Sequence, residues 1–374
     1  MSGKVAIVGV GQVGYRQRID EMDFREMDFE AASRAFAETS LNPRRDVDTF
    51  IHCQQDFWEG YSITSEYSPD QLGAALRTIC TVSGDGIQGL VNAYMQIATG
   101  VFDVAVVAAH GKPSEVKSLA EVYELALDPL YHRQLGLSVP ALAALEAKRY
   151  LEERGLGREA LARVVSENKR NALRNPRAPY GADISLEEAL ARPETYSPLS
   201  ELDFAQPSDG AIVFILANAR KARRITDTPI YITGVGWCSE TLMVENRNPA
   251  SFDYMRLAAA KALKMAKITR PARQLDFAEV EDRISFKQLQ ASEALGIGGR
   301  RKRSFETDIP VNVSGGSLGM GDLLEASGAS RVYEAVMQLR GQAGAAQLED
   351  AETCAVLSCS PPITASCTVL ILST

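Results

Sequence analysis

The chain reads as a layered α/β protein built from two pseudo-symmetric halves, and three internal echoes carry that reading. Lys4-Val5-Ala6-Ile7-Val8-Gly9-Val10-Gly11 is matched by Pro229-Ile230-Tyr231-Ile232-Thr233-Gly234-Val235-Gly236, an offset of 225 residues from Gly9 to Gly234. Asp46-Val47-Asp48-Thr49-Phe50-Ile51 is matched by Gln274-Leu275-Asp276-Phe277-Ala278-Glu279-Val280, with 228 residues between Asp48 and Asp276. Thr81-Val82-Ser83-Gly84 is matched by Asn312-Val313-Ser314-Gly315, with 231 between Ser83 and Ser314. The order is kept and the offset drifts slowly, as a duplicated module would leave it. The expected division is a first half at 1–227, carrying an insertion at about 112–205, and a second half at 228–374. A site is expected where the halves meet.

The elements follow from periodicity. Val5–Val8 is a short apolar run closed by glycine, the pattern of a buried strand. Met27–Thr39 has helical spacing through Phe29, Ala32, Ala35 and Phe36, and Asn42-Pro43 follows because proline cannot continue a helix. Val47–Ile51 reads as a second strand. Ser83-Gly84-Asp85-Gly86 opens a helix with Ile87, Leu90, Val91, Tyr94 and Ile97 on its apolar side, stopped by Gly100. Val104–Ala109 is a continuous apolar run of the kind buried on both faces of a sheet.

Within the insertion, Ser138–Arg154 and Glu159–Leu173 are amphipathic helices, with Pro140 tolerated in a first turn. Ser185–Ala191 is a shorter one, and Ala211–Ala217 returns to the sheet. The second half gives strand Ile230–Val235, helix Phe252–Ala266, strand Leu275–Val280 and helix Phe286–Leu295. A glycine-rich loop at 314–321, helix Ala329–Leu339 and strands Cys354–Ser358 and Thr368–Leu372 complete it. Alternating helix and strand in both halves implies mixed sheets covered by helices.

Bulk properties narrow the function. With 374 residues, 45% apolar and 24% charged, the chain buries a sizeable core. A net charge of −8 argues against nucleic acid, whose binders carry a basic face. The six cysteines lack a C-x-x-C pair, and the closest, Cys354 and Cys359, have no histidine nearby, so neither a disulfide framework nor a metal site is expected. No apolar run reaches the ~18–20 residues that cross a bilayer. The expectation is a cytoplasmic protein without a membrane span.

Three features are set aside. Gly9-Val10-Gly11-Gln12-Val13-Gly14 is a literal G-x-G-x-x-G, but a dinucleotide site needs a helix starting at once, and the convincing helix begins near Met27. Arg300-Arg301-Lys302-Arg303 reads as a solvated loop in preference to a phosphate grip. His52, His110 and His132 are far apart in sequence, and a lone histidine at a strand end is more often packed than catalytic. His110 has the best claim to chemistry, because strand ends in α/β proteins face the ligand crevice.

An ordered set of segments resembles the thiolase superfamily, specifically its sterol-carrier-protein-type branch. Gly86-Ile87 through Ala98-Thr99-Gly100 resembles the helix after the family's nucleophile. Asn168 through Asn175-Pro176-Arg177-Ala178 resembles a stretch of its inserted loop domain. Asp203 with Ser208-Asp209-Gly210-Ala211, and Asn312-Val313-Ser314-Gly315-Gly316 with Gly321 and Gly328, match further motifs. The resemblance implies a five-layer αβαβα fold of two βαβαβαββ halves, with the loop domain helping to bind coenzyme A. It also implies a homodimer or larger oligomer, a CoA thioester as substrate, and no tightly bound cofactor.

The site positions depart from that family. The thiolate nucleophile belongs at a helix N-terminus, where dipole and free amides favour the charge. Counting back from Gly100, that position is Ser83, a far weaker acid that would need an adjacent base. Asp85 beside it opposes a developing anion, and Cys80 lies three residues earlier. The family's two second-half histidines fall at Glu281 and Asp322, where carboxylates would repel an oxyanion. Its late acid/base cysteine falls at Cys359, within Ser358-Cys359-Ser360-Pro361-Pro362. Asn312 is kept, and in relatives it helps place the acyl end.

Two functions stay open, with ordinary thiolysis through Cys80 or Cys359 a third. One is carbon–carbon cleavage or formation on a CoA thioester without the usual cysteine, using a carboxylate from Glu281, Asp322 or Asp85 as base. The other is a non-catalytic subunit that pairs with an active thiolase paralogue, and with a small zinc-ribbon/OB-fold protein of the kind this branch partners.

Overall fold

A computed structural model describes residues 5–55, 64–241, 243–248, 250–298, 305–360 and 365–374. Strands β1 (Val5–Arg16), β2 (Thr49–Cys53), β3 (Thr78–Val82) and β4 (Val104–Gly111) belong to the first half, and β5 (Glu194–Tyr196) and β6 (Leu199–Ser200) form a hairpin in the insertion. Strand β7 (Asp209–Asn218) closes that half, and β8 (Ile230–Ser239), β9 (Phe277–Val280), β10 (Thr353–Cys359) and β11 (Ser366–Ser373) follow. The large sheet has the order β3-β2-β4-β7-β1-β8-β11-β10-β9. It is symmetric about the β1–β8 seam, where Val5 faces Ile232 and Ile7 faces Ile230. The missing tenth position is held by Val311, which bridges Ala278 in parallel as β3 pairs with β2.

Alternation of side chains across the strands separates three cores. Ala6, Val8, Val106 and Val213 pack outward under the helix Phe24–Thr39. Val5, Ile7, Ala105 and Val107 face inward, where they meet Leu90 of helix Gly86–Ala98, Val332 of helix Ser327–Leu339, and Cys354, Val356, Leu370 and Leu372 of the second half. Ala355, Leu357, Val369 and Ile371 face out again, beneath helices Asp253–Met265 and Ser285–Leu295. Helix, sheet, paired helices, sheet, helix: the expected five layers. The first central helix buries Ile87, Leu90, Val91 and Ile97, and the second buries Val332, Ala335, Val336 and Leu339.

The echoes have physical causes. A Cβ on Gly11 would stand 2.0 Å from the Ala31 carbonyl oxygen, and one on Gly236 would stand 2.1 Å from that of Ala258. Each glycine lets a strand lie directly on a helix backbone. The G-x-G-x-x-G is therefore strand throughout, with β1 running unbroken past Gly14 to Arg16 and well beyond the expected Val8. Asp48 accepts the backbone N–H groups of Asp103 and Val104 at 2.8 and 2.9 Å. Its counterpart Asp276 accepts those of Glu352 and Thr353 at 2.9 and 2.8 Å. The same carboxylate staples the same strand start in both halves.

Three details differ from expectation. Strand β2 starts at Thr49, two residues late, which brings His52 and Cys53 into the sheet. Strand β3 and the helix Thr64–Leu72 carry too weak a pattern to be read from sequence: β3 is a partly exposed edge, and the helix has Pro69 inside it. The glycine-rich loop holds a short helix, Gly316–Met320, because the Asp282 carboxylate accepts the N–H groups of Ser317 and Leu318 at 2.7 and 3.1 Å. Arg300–Arg303 and Pro361-Pro362 lie outside the described residues. Among the described residues, no helix is long and apolar enough to cross a membrane.

Candidate active site

The two central helices point their N-termini at one crevice, and Asp85 joins them. Its carboxylate caps the first helix through Ile87 N–H at 3.0 Å and accepts Gly328 N–H of the second at 3.1 Å. The Ser358 hydroxyl donates to it at 2.9 Å. Burial pushes the Asp85 carboxyl up to about 6, against the lowering pull of Arg283 and Arg331. Asp85 thus spends its oxygens on the scaffold, whereas Ser83, two residues earlier, is exposed on the bend after β3.

Beyond β9 the chain turns through Glu281, Asp282 and Arg283, all buried. Arg283 grips Glu281 with two bonds, at 2.9 and 3.0 Å, and donates to the Cys359 carbonyl oxygen as well. Arg331, from the first turns of the second central helix, lies 3.3 Å from Glu281 and 3.4 Å from Asp282, and donates to the Val280 carbonyl oxygen and to Ser317 and Ser358. Burial raises the Glu281 carboxyl, but the two guanidinium groups outweigh it and hold the group down at about 2. Two arginines thus stand among the carboxylates of Asp85, Glu281, Asp282 and Asp322. A carboxylate paired as strongly as Glu281 is poorly set to take up a proton near neutrality.

Asp322 is placed differently. Its Oδ1 accepts Leu324 N–H at 3.0 Å and the Ser327 hydroxyl at 2.9 Å, and its Oδ2 accepts the Tyr123 hydroxyl at 2.8 Å. Tyr123 comes from the insertion, on the short helix Leu119–Glu124. Burial and then the neighbouring Asp322 charge push its phenol well above the ordinary range, so it stays protonated. Arg283 Nη1 is buried without a hydrogen-bond partner among the described residues, 3.9 Å from Asp322 Oδ1. An acid/base pair and an uncommitted cationic donor thus stand side by side.

The remaining candidates are turned to other tasks. The Asn312 side chain accepts Val280 N–H and donates to Gln288, both at 2.7 Å, so it fixes the end of β9 and is not free for an acyl group. Cys80 accepts a long bond from Gln96 at 3.9 Å, and partial burial raises its thiol. Cys359 ends β10 opposite Cys367 in the outer core, while its neighbour Ser358 faces Asp85. Alternation along the strand turns that thiol away from the crevice. Cys80, with its thiol raised by burial, lacks the electropositive, polar setting that makes a thiolate.

Sequence reasoning missed Tyr123, Arg283 and Arg331. Arg331 lies in a helix buried all round, so no polar stripe marks it. Arg283 was legible only as a charge beside Glu281-Asp282. Tyr123 reaches the crevice by tertiary folding alone.

Comparison with known proteins identifies the family. Residues 236–374 match a family model described as thiolase C-terminal domain-like. The acetyl-CoA acetyltransferase of Methanothermobacter thermautotrophicus is 33% identical over 364 residues, covering 93% of this chain and 94% of that one. The chain belongs to the thiolase family. A second family relative, the 17-hydroxy-3-oxo-4-pregnene-20-carboxyl-CoA lyase of Mycobacterium tuberculosis, is 27% identical over 91% of this chain and 92% of its own. Among solved structures, an Ltp2-ChsH2(DUF35) aldolase superposes with a TM-score of 0.83 at 22% identity, covering all of this chain and 98% of that one. That likeness is one of fold.

Proposed function

We propose that this thiolase-family chain cleaves or forms a carbon–carbon bond in a CoA thioester without passing through a cysteine-bound acyl group. The observation that carries the reading is the Tyr123 hydroxyl on Asp322 at 2.8 Å, beside the unbonded Arg283 Nη1. A 3-hydroxyacyl thioester needs two things from a site that breaks it in the retro-aldol sense. A group must take the hydroxyl proton, and a donor must hold the oxygen on which charge collects.

Tyr123 receives the hydroxyl proton as it passes its own to Asp322. The new carbonyl forms, the Cα–Cβ bond breaks, and its electron pair moves onto the thioester as an enolate. That enolate oxygen faces Arg283 Nη1, and the proton held on Asp322 returns through Tyr123 to Cα, which completes the acyl-CoA product and restores both groups. The lyase name of the mycobacterial relative supports a reaction of this class.

A second reading rests on the pairing of Glu281, Asp282, Arg283 and Arg331 with one another. A crevice so internally satisfied suits a structural subunit assembled with an active thiolase, or with a small partner such as the DUF35 component named with the solved neighbour.

Exchange of the Cα protons of acetyl-CoA or propionyl-CoA in D2O separates the two, because it reports the enolate without knowledge of the full substrate. The proposal expects exchange catalysed by the purified chain and lost in Tyr123→Phe and Asp322→Asn. Binding of the thioester without any exchange would overturn it in favour of the structural subunit.

A further inference from the structure

We infer that the first half holds a divalent metal ion, zinc by preference, between His52, His110 and Asp28, on the face of the sheet opposite the crevice. The two histidines, set aside as lone packed residues, are brought together by parallel pairing of β2 with β4, in which His52 lies beside Ala108. Asp28 comes from the helix Phe24–Thr39 that covers this face. All three side chains are buried, at 0%, 0% and 1% exposure. Their ligand atoms lie within 4.8 Å of one another. His52 Nε2 and His110 Nδ1 stand 3.1 and 3.0 Å from the same oxygen, Asp28 Oδ2.

Three features point to a metal in preference to a hydrogen-bonded cluster. First, zinc with bonds of about 2.0–2.2 Å sets its ligand atoms about 3.3–3.5 Å apart in a tetrahedron, so each imidazole nitrogen needs to move only a few tenths of an ångström from Asp28 Oδ2. Second, the other carboxylate oxygen, Asp28 Oδ1, is buried with no hydrogen-bond partner among the described residues. An ionised carboxylate rarely leaves an oxygen so, and a cation would engage it. Third, the Ser68 hydroxyl sits 3.0 Å from His52 Nδ1. A partner on the second ring nitrogen is what fixes the tautomer and orientation of a metal-bound imidazole.

Two imidazoles and a carboxylate suit zinc and its borderline neighbours over calcium or magnesium. The Phe24 ring stacked on His110 at 4.8 Å closes the site from one side. Its burial assigns it to holding the covering helix on the sheet. Thiolate ligands play no part, although the chain has six cysteines.

The test uses the full chain stripped with a chelator and titrated with Co(II) and with Zn(II). The inference expects one equivalent of Co(II) with the visible bands of a four-coordinate nitrogen/oxygen site, no thiolate charge-transfer band, and a rise in Tm with Zn(II). Ser68→Ala, which keeps all three ligands, is expected to weaken the metal by about 10–100-fold. His52→Gln can still donate to Asp28, so it keeps the fold while abolishing the stoichiometric signal. Absence of a metal-dependent shift in the unaltered chain would overturn the inference. So would binding that survives His52→Gln, or a thiolate band showing capture by cysteine.

Discussion

Arg283 and Glu281, two residues apart on the turn after β9, form a two-bond ion pair with Nε–Oε1 at 2.9 Å and Nη2–Oε2 at 3.0 Å, and Arg331 approaches the same carboxylate at 3.3 Å. The one carboxylate is shared by two buried cations. Glu281→Gln keeps the shape and strands those charges, so it is expected to cost about 3–5 kcal/mol of stability. Urea unfolding at neutral pH checks this, and a loss below about 1 kcal/mol would show that the ion network does not hold the crevice together. Because the Glu281 carboxyl is lowered to about 2, its contribution is present above the ordinary carboxylate range and fades as pH falls towards 2.

Asp85 gives the opposite pH signature. Its folded carboxyl is raised to about 6, so between about 4 and 6 the folded chain keeps a proton that the unfolded chain has released. The contribution of this group therefore declines as pH rises through that window and is level above it. Asp85→Asn removes the titration and keeps one acceptor oxygen, enough for either the Ile87 or the Gly328 N–H group. Relative to the unaltered chain, it is expected to gain about 2–3 kcal/mol between pH 4 and pH 7. A stability difference that stays constant across that range would contradict the placement of Asp85.

Arg283→Lys tests the cationic donor. Lysine keeps the charge but loses the planar fork that holds Glu281 while leaving Nη1 free. Cα exchange of acetyl-CoA is expected to fall roughly 10²-fold while thioester binding changes little. Equal losses in binding and exchange would assign Arg283 to substrate anchoring instead.

Asn312→Ala leaves the buried Val280 N–H without its acceptor and Gln288 without one donor. The expected cost is about 2 kcal/mol in thermal or chemical unfolding. An unchanged stability would mean that Asn312 is not the strut the geometry makes it.

Much of the fold was legible because duplication repeats its physical constraints. Gly11 and Gly236 recur since each strand must touch a helix backbone, and Asp48 and Asp276 recur since each staples a strand start. Strand β3 escaped notice because an edge with Cys80 and Thr81 lacks the alternation of a half-buried strand. At the site, the motif positions Ser83, Glu281 and Asp322 could be found by spacing, but their partners could not. Tyr123 and Asp322 are 199 residues apart and Asp85 and Ser358 are 273 apart, so those bonds exist only after folding. The two arginines among the acidic residues were hidden for the same reason. Arg331 sits in a later helix, and nothing local shows that its charge meets Glu281.

The most direct measurement is the intact mass of the chain after incubation with acetoacetyl-CoA, read alongside thioester binding. The account predicts a bound thioester and an unmodified protein mass, because Ser83 is exposed on the bend after β3, burial raises the Cys80 thiol, and Cys359 faces the outer core. A stable acyl increment mapped to Cys80, Cys359 or Ser83 would contradict it and return the chain to ordinary covalent thiolase chemistry.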